Sequence, residues 1–100
     1  MLYFAKHKLL PMPAAHLIVK GKVQGVFYRA SAKKMADSMG ITGWVRNTDA
    51  GHVEILATGS AGNLEKFTEW CKQGPPKAAV ANIAVTNKDE GDFDGFEIRR

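Results

Sequence analysis

Residues 21–29 read Gly21-Lys22-Val23-Gln24-Gly25-Val26-Phe27-Tyr28-Arg29. The stretch leaves a short apolar run, turns through two glycines and enters an amphipathic segment that opens on Tyr28-Arg29. A strand-to-helix turn of this kind gathers backbone N–H groups toward one point. The positive end of the helix dipole faces the same point, so the turn is suited to holding an anion. Glycine lets the backbone bend and lets an anion come close without a Cβ in the way. Arg29 adds a planar fork that can hold two phosphate oxygens. The loop is not a nucleotide-binding P-loop, because no Gly-Lys-Ser/Thr ending follows. It is not a dinucleotide fingerprint either, because the G-x-G-x-x-G spacing is missing. Taken alone, it also fits a tight turn with a solvated arginine, and both readings stay open at this point.

Working outward, Ala14 to Lys20 reads as a strand around Leu17-Ile18-Val19. After the loop, Tyr28, Ala32, Met35, Ala36 and Met39 repeat at helical spacing on one face. Gly40 is placed to end that helix in a left-handed conformation. Ile41 to Thr48 reads as a second strand, Asp49-Ala50-Gly51 as a hairpin turn and His52 to Thr58 as a third strand. In the third strand Val53, Ile55 and Ala57 alternate with Glu54, Leu56 and Thr58. Ser60 can cap a second helix whose buried stripe is Leu64, Phe67, Trp70 and Cys71, and Gly74-Pro75-Pro76 stops it. Ala81, Ile83 and Val85 alternate in a fourth strand. A solvated acidic run, Asp89, Glu90, Asp92 and Asp94, leads to a short fifth piece with Phe96 and Ile98.

The order β-α-β-β-α-β is the split βαβ, ferredoxin-like arrangement, an α+β fold. It is an antiparallel-type sheet with two helices on one face, here with a short extra terminal strand. Strands one and two then run parallel with strand three between them, and their C-terminal ends share one sheet edge. The loop follows strand one and Asn47 ends strand two. Two strand spacings, roughly 10 Å, therefore separate them, a gap that a phosphate, a water and two side chains can bridge.

Length and composition bound the rest. One hundred residues make one domain with a single modest core. Residues 1–13, broken by Pro11 and Pro13, read as an N-terminal extension, and 14–100 as the folded domain. The apolar side chains Leu2, Tyr3, Phe4, Leu9 and Leu10 suggest that the extension docks rather than waves free. The net charge of +4 comes from scattered Lys and Arg, which suits a small anion better than nucleic acid. One cysteine allows no intramolecular disulfide and no cysteine metal cluster, and suits a reducing cytoplasm. No apolar run approaches the roughly 20 residues of a membrane span, and charges interrupt the N-terminal apolar segment where a signal peptide would need continuity.

Several chemistries fall away. A covalent cysteine phosphatase needs a thiol in the loop, and Val23 stands six residues before Arg29. Cys71 belongs to a packing stripe. His16 precedes the loop in a strand and reads as structural or surface, and His52 as exposed beside its turn. The three histidines lack ligand spacing, so no metal site is expected. Asp49 and Glu54 flank the hairpin and read as solvated. An anion cradle, one arginine, one amide and no strong base remain. Such a site can still hydrolyse an acyl phosphate, whose carboxylate leaving group needs no acid. Positioning and charge stabilisation then supply most of the catalysis.

The loop motif, followed by Gly43-Trp44-Val45-Arg46-Asn47-Thr48 and Gly51-His52-Val53-Glu54, resembles the acylphosphatase family from about residue 15 to the end. The Trp70-Cys71 and Gly74-Pro75-Pro76 region is included. The resemblance implies hydrolysis of a carboxyl-phosphate to carboxylate and inorganic phosphate, with no metal or cofactor. It implies that Arg29 binds the phosphate and Asn47 orients the attacking water. It assigns the cradle amides to Gln24, Gly25, Val26, Phe27 and Tyr28. The substrate's own phosphate would accept the water's proton. The implied partners are a small-molecule acyl phosphate, with inorganic phosphate as product and competitive inhibitor. No nucleic acid and no membrane are expected, and the protein is expected to be a cytoplasmic monomer. Residues 1–13 depart from the family pattern. The alternative is a non-catalytic anion-binding or regulatory ferredoxin-like module. An RNA-binding version would carry aromatics on the open face of strands one and three. His16, Ile18, Lys20, Glu54, Leu56 and Thr58 stand there instead. A chain ending at Arg100 is expected to be a free-standing enzyme rather than a domain of a larger carbamoyl-transfer maturation protein that shares the resemblance.

Overall fold

A computed structural model describes residues 13–88 and 93–100. The expectations for residues 1–12 and for Asp89-Glu90-Gly91-Asp92 lie outside the described residues. The elements run β1 (Ala14–Lys22), α1 (Tyr28–Ser38), β2 (Thr42–Asn47), β3 (Val53–Thr58), α2 (Ala61–Gln73), β4 (Ala79–Lys88) and β5 (Phe96–Arg99). They form one five-stranded sheet in the order β4-β1-β3-β2-β5. β3 pairs antiparallel with both β1 and β2, which are therefore parallel to each other. β5 adds to the outer side of β2 and runs parallel to it.

Alternation decides which sheet face is covered. Leu17, Val19, Val45, Val53, Ile55 and Ala57 are buried and share one face. α1 sets Tyr28, Ala32 and Ala36 against that face, and α2 sets Leu64, Phe67 and Cys71. Met35, Met39 and Trp70 complete the layer as partly buried side chains. The Ser60 hydroxyl caps α2 by accepting from the Asn63 amide at 3.2 Å, worth about 1 kcal/mol. The two helices are tied where it matters for the loop. The buried Tyr28 hydroxyl donates to the Cys71 carbonyl at 2.8 Å, and its ring lies 5.6 Å from that of Trp70. Burial raises the Tyr28 pKa far above its usual value, with Cys71 adding to the shift. The phenol therefore stays protonated and keeps donating. The first residue of α1 is thus anchored, and Arg29 is presented from a fixed helix end.

Three sequence expectations shift. β1 runs on to Lys22, so Gly21 belongs to the strand and not to the loop. The β1–β4 register shifts between Lys20 and Gly21, and a Cβ at Gly21 would collide with the Ala79 carbonyl oxygen. Gly21 thus serves a β-bulge, where a neighbouring backbone comes close. The same bulge takes Ala81 out of the pairing and so out of the alternation expected with Ile83 and Val85; Val85 keeps its register opposite Leu17 but lies on an edge strand. Ala81 and Val85 are exposed, whereas Val80 and Ile83 pack against the core. Finally, Glu54 is not simply solvated. Its carboxylate accepts from Arg46 Nε at 2.7 Å and lies 2.7 Å from His16 Nε2 on the sheet face opposite the helices. The His16 hydrogen bond is the largest cause holding the Glu54 pKa below its usual value. That face also carries an aromatic, Trp44 of β2, with the Arg99 guanidinium 4.9 Å from its ring centre. No helix among the described residues is long and apolar enough to cross a membrane.

Candidate active site

The C-terminal ends of β1, β2 and β5 meet at one sheet edge because the three strands are parallel. Each delivers part of the site. β1 leads into Val23–Phe27, β2 ends on Asn47, and β5 ends beside it. A cleft of about 330 Å³ lies there, with Gly25, Phe27, Arg29, Asn47, Ile98 and Arg100 in its wall and, among the described residues, no acidic side chain in its lining. That volume is at the small end of ligand pockets.

The loop turns through two left-handed residues, Gly25 and Phe27. Gly25 has φ +75°, and a Cβ built there meets nothing within 4 Å. The backbone conformation, not crowding by neighbours, is what calls for glycine. Phe27 precedes α1 at φ 66° and caps it without any side-chain hydrogen bond. A bulky residue in this left-handed region is strained, at a cost of order 1–3 kcal/mol. Among the described residues, none of the loop and cap backbone hydrogen bonds uses an amide from Gln24 to Tyr28 as donor. The first turn of α1 carries no acidic residue either, so no carboxylate competes for the helix end.

Arg29 is half-buried in the cleft wall and forms no ion pair among the described residues. The carboxylates in ion pairs take other cations: Glu54 takes Arg46, Asp37 takes Lys33, and Glu69 takes Lys72. Among the described residues, no carboxylate occupies the guanidinium fork.

Asn47 lines the same cleft. Its Oδ1 is buried and has no hydrogen-bond partner among the described residues. An unsatisfied buried acceptor costs about 1–3 kcal/mol, so the position calls for a partner from solution. Asn47 does not hold the hairpin. That work falls to Thr48, whose hydroxyl accepts from the His52 amide at 3.1 Å and whose own amide donates to the His52 carbonyl at 2.9 Å.

The structure thus brings Arg29, Asn47 and the loop Gln24–Tyr28 to one edge, as the topology predicts. Sequence reasoning missed the Gln24 side chain. Its Nε2 donates to the Thr48 and His52 carbonyls, each at 2.9 Å. It clamps the loop to the β2–β3 hairpin and so sets the loop relative to Asn47. No local pattern announces this contact, since it joins residues 24 and 28 positions apart. Sequence reasoning also missed Ile98 and Arg100. The signal for them is topological: β5 pairs parallel to β2 with Val45 opposite Ile98. The same register sets position 100 beside position 47. Cys71 is buried in the core, where burial pushes its thiol up to about 12. It takes no part in the cleft.

Comparison with known proteins bears on the family and the fold. The sequence model of the acylphosphatase family matches residues 15–98. An acylphosphatase of Haloquadratum walsbyi is 45% identical over 86 residues, covering 86% of this chain and 92% of the relative. The crystal structure of the acylphosphatase from Bacillus subtilis superposes with a TM-score of 0.86 at 39% identity, covering 89% of this chain and all of that one. The acylphosphatase from Coxiella burnetii gives 0.85 at 40% identity, covering 89% and 94%.

Proposed function

The chain belongs to the acylphosphatase family, and from that premise we propose how its own residues hydrolyse an acyl phosphate to carboxylate and inorganic phosphate. The amides of Gln24–Tyr28 and the Arg29 fork hold the phosphoryl oxygens. Held this way, the group is oriented, and the charge that develops on its equatorial oxygens meets fixed donors. Asn47 Oδ1 accepts a hydrogen bond from a water and holds it for attack on phosphorus. A new P–O bond forms from water, the bond from phosphorus to the carboxylate oxygen breaks, and the electron pair leaves with the carboxylate. The water's proton passes to a phosphoryl oxygen. This route suits a cleft whose lining, among the described residues, has no acidic side chain and no histidine. An amide is no base at neutral pH, but its oxygen accepts well.

The buried, unpartnered Asn47 Oδ1 in the same cleft as Arg29 is the observation that carries the reading. The same cradle would take inorganic phosphate, the product, as a competitive inhibitor. The proposed partners are a small-molecule acyl phosphate and phosphate, bound within the domain 14–100 acting as a monomer. The single buried thiol suits a reducing cytoplasm. The direct test incubates the full chain with acetyl phosphate in the presence of a chelator and follows phosphate release. Turnover that saturates with substrate and is inhibited competitively by phosphate is expected. Phosphate binding without turnover would instead leave a non-catalytic anion-binding module.

A further inference from the structure

Three large apolar side chains are exposed among the described residues: Phe27 at 74%, Val85 at 44% and Ile98 at 36%. Two of them, Phe27 and Ile98, line the cleft that holds Arg29 and Asn47. Neither belongs to the buried core or to the partly buried layer packed on it. Phe27 is also held at its place by a left-handed backbone at φ 66°, a conformation unfavourable for a bulky residue. Exposed apolar surface at a cleft mouth, set by a strained backbone, marks a surface built to meet a ligand.

The ligand's chemistry follows from what the rest of the cleft consumes. On the reading proposed above, the loop amides and Arg29 take the phosphoryl oxygens, and Asn47 takes the water. None of these partners has use for an aromatic ring or a branched alkyl group. The acyl group is the only part of the substrate left to meet them. Ile98 arrives from β5, Phe27 from the loop, and each strand end is fixed by its parallel pairing or by the Gln24 clamp. The two side chains are therefore held from different elements around one small cleft.

We propose that Phe27 and Ile98 form an apolar acyl-binding wall, so that the site favours acyl phosphates with a flat apolar acyl group, an aromatic ring above all. This rests on the hydrolase reading. A ring laid against Phe27 gains offset or edge-on aromatic contact as well as area burial.

The test compares kcat/KM for benzoyl phosphate and acetyl phosphate in the full chain and two variants. Ile98→Ser removes one side of the wall. Phe27→Asn removes the ring while keeping a residue that tolerates the left-handed backbone. Each variant's melting curve confirms that it folds. The ratio of benzoyl to acetyl kcat/KM is expected to fall about tenfold in each, the scale of losing apolar contact in a pocket. Intrinsic reactivity differences between the two phosphates cancel in the comparison with wild type. A ratio unchanged in both folded variants, with both substrates still turned over, overturns the wall and leaves the hydrolase reading intact. Wild-type protein that hydrolyses neither substrate overturns the hydrolase reading and the wall with it.

Discussion

Replacing Asn47 by alanine separates a water-holding role from a structural one, because the two move stability and turnover in opposite directions. The Oδ1 atom is buried and without a partner among the described residues. An acceptor in that state costs the fold about 1–3 kcal/mol unless a water or substrate satisfies it. Asn47→Ala therefore removes no protein–protein hydrogen bond of Oδ1. The lost side-chain packing at a half-buried strand end offsets the relief, so the melting temperature is expected to hold or rise slightly. A change of 1 kcal/mol corresponds to about 4–8 °C for a domain of this size, which a melting curve resolves easily. Turnover behaves differently. Loss of a preorganised positioning group costs about 10²-fold in kcat, equivalent to about 2.7 kcal/mol of barrier at 1.36 kcal/mol per decade. Inhibition by phosphate should persist, because Arg29 and the loop amides remain. The assay is steady-state hydrolysis of acetyl phosphate with phosphate inhibition, run beside thermal melting on the same preparation. A variant that melts 4–8 °C lower while keeping near-normal kcat would refute the argument and return Asn47 to the hairpin.

Arg29→Ala should lose about 10²–10³-fold in turnover together with phosphate inhibition, at unchanged melting temperature, since Arg29 forms no ion pair among the described residues; Arg29→Lys should recover little, because an ammonium cannot form the fork. At Gly25, with φ +75° and open space around a Cβ, alanine should cost about 1–2 kcal/mol for the left-handed backbone and weaken phosphate binding, with Gly25→Asn milder in stability; equal melting of wild type and Gly25→Ala would show that the loop relaxes. Gln24→Ala breaks two hydrogen bonds at 2.9 Å and should cost about 1–3 kcal/mol, with kcat lowered through a displaced loop and unaltered kcat as the contrary result. Glu54 has its pKa lowered, chiefly by His16. Its contribution to stability is therefore complete above the usual carboxylate value of 4.5 and is lost as pH falls through the lower folded-state value. Melting temperatures of wild type and Glu54→Gln should differ near neutral pH and converge as pH falls through the lowered folded-state value, and a gap that stays constant with pH would exclude the carboxylate as its source.

Local rules made the element order legible, because each rule acts within a few residues. Period-two alternation of Val53, Ile55 and Ala57 marks a half-covered strand, and the Tyr28–Ala32–Ala36 spacing marks a helix face. Ser60 and Gly74 mark the ends of the second helix. The order of those elements in turn restricts the sheet to a topology that sets Arg29 and Asn47 at one edge. Contacts between distant segments left no such trace. Gln24 reaches Thr48 and His52, and Glu54 joins His16 and Arg46, only because register sets those positions side by side. Gly21 looked like part of the anion loop until the approach of Ala79 showed a bulge. The displacement of Ala81 from the β4 alternation comes from the same bulge. Phe27 and Ile98 read as ordinary apolar residues, since sequence records hydrophobicity but not exposure. Whether an apolar side chain fills the core or faces a cleft depends on which atoms lie beyond it, and for these two the packing of β5 on β2 and the left-handed turn before α1 decide it.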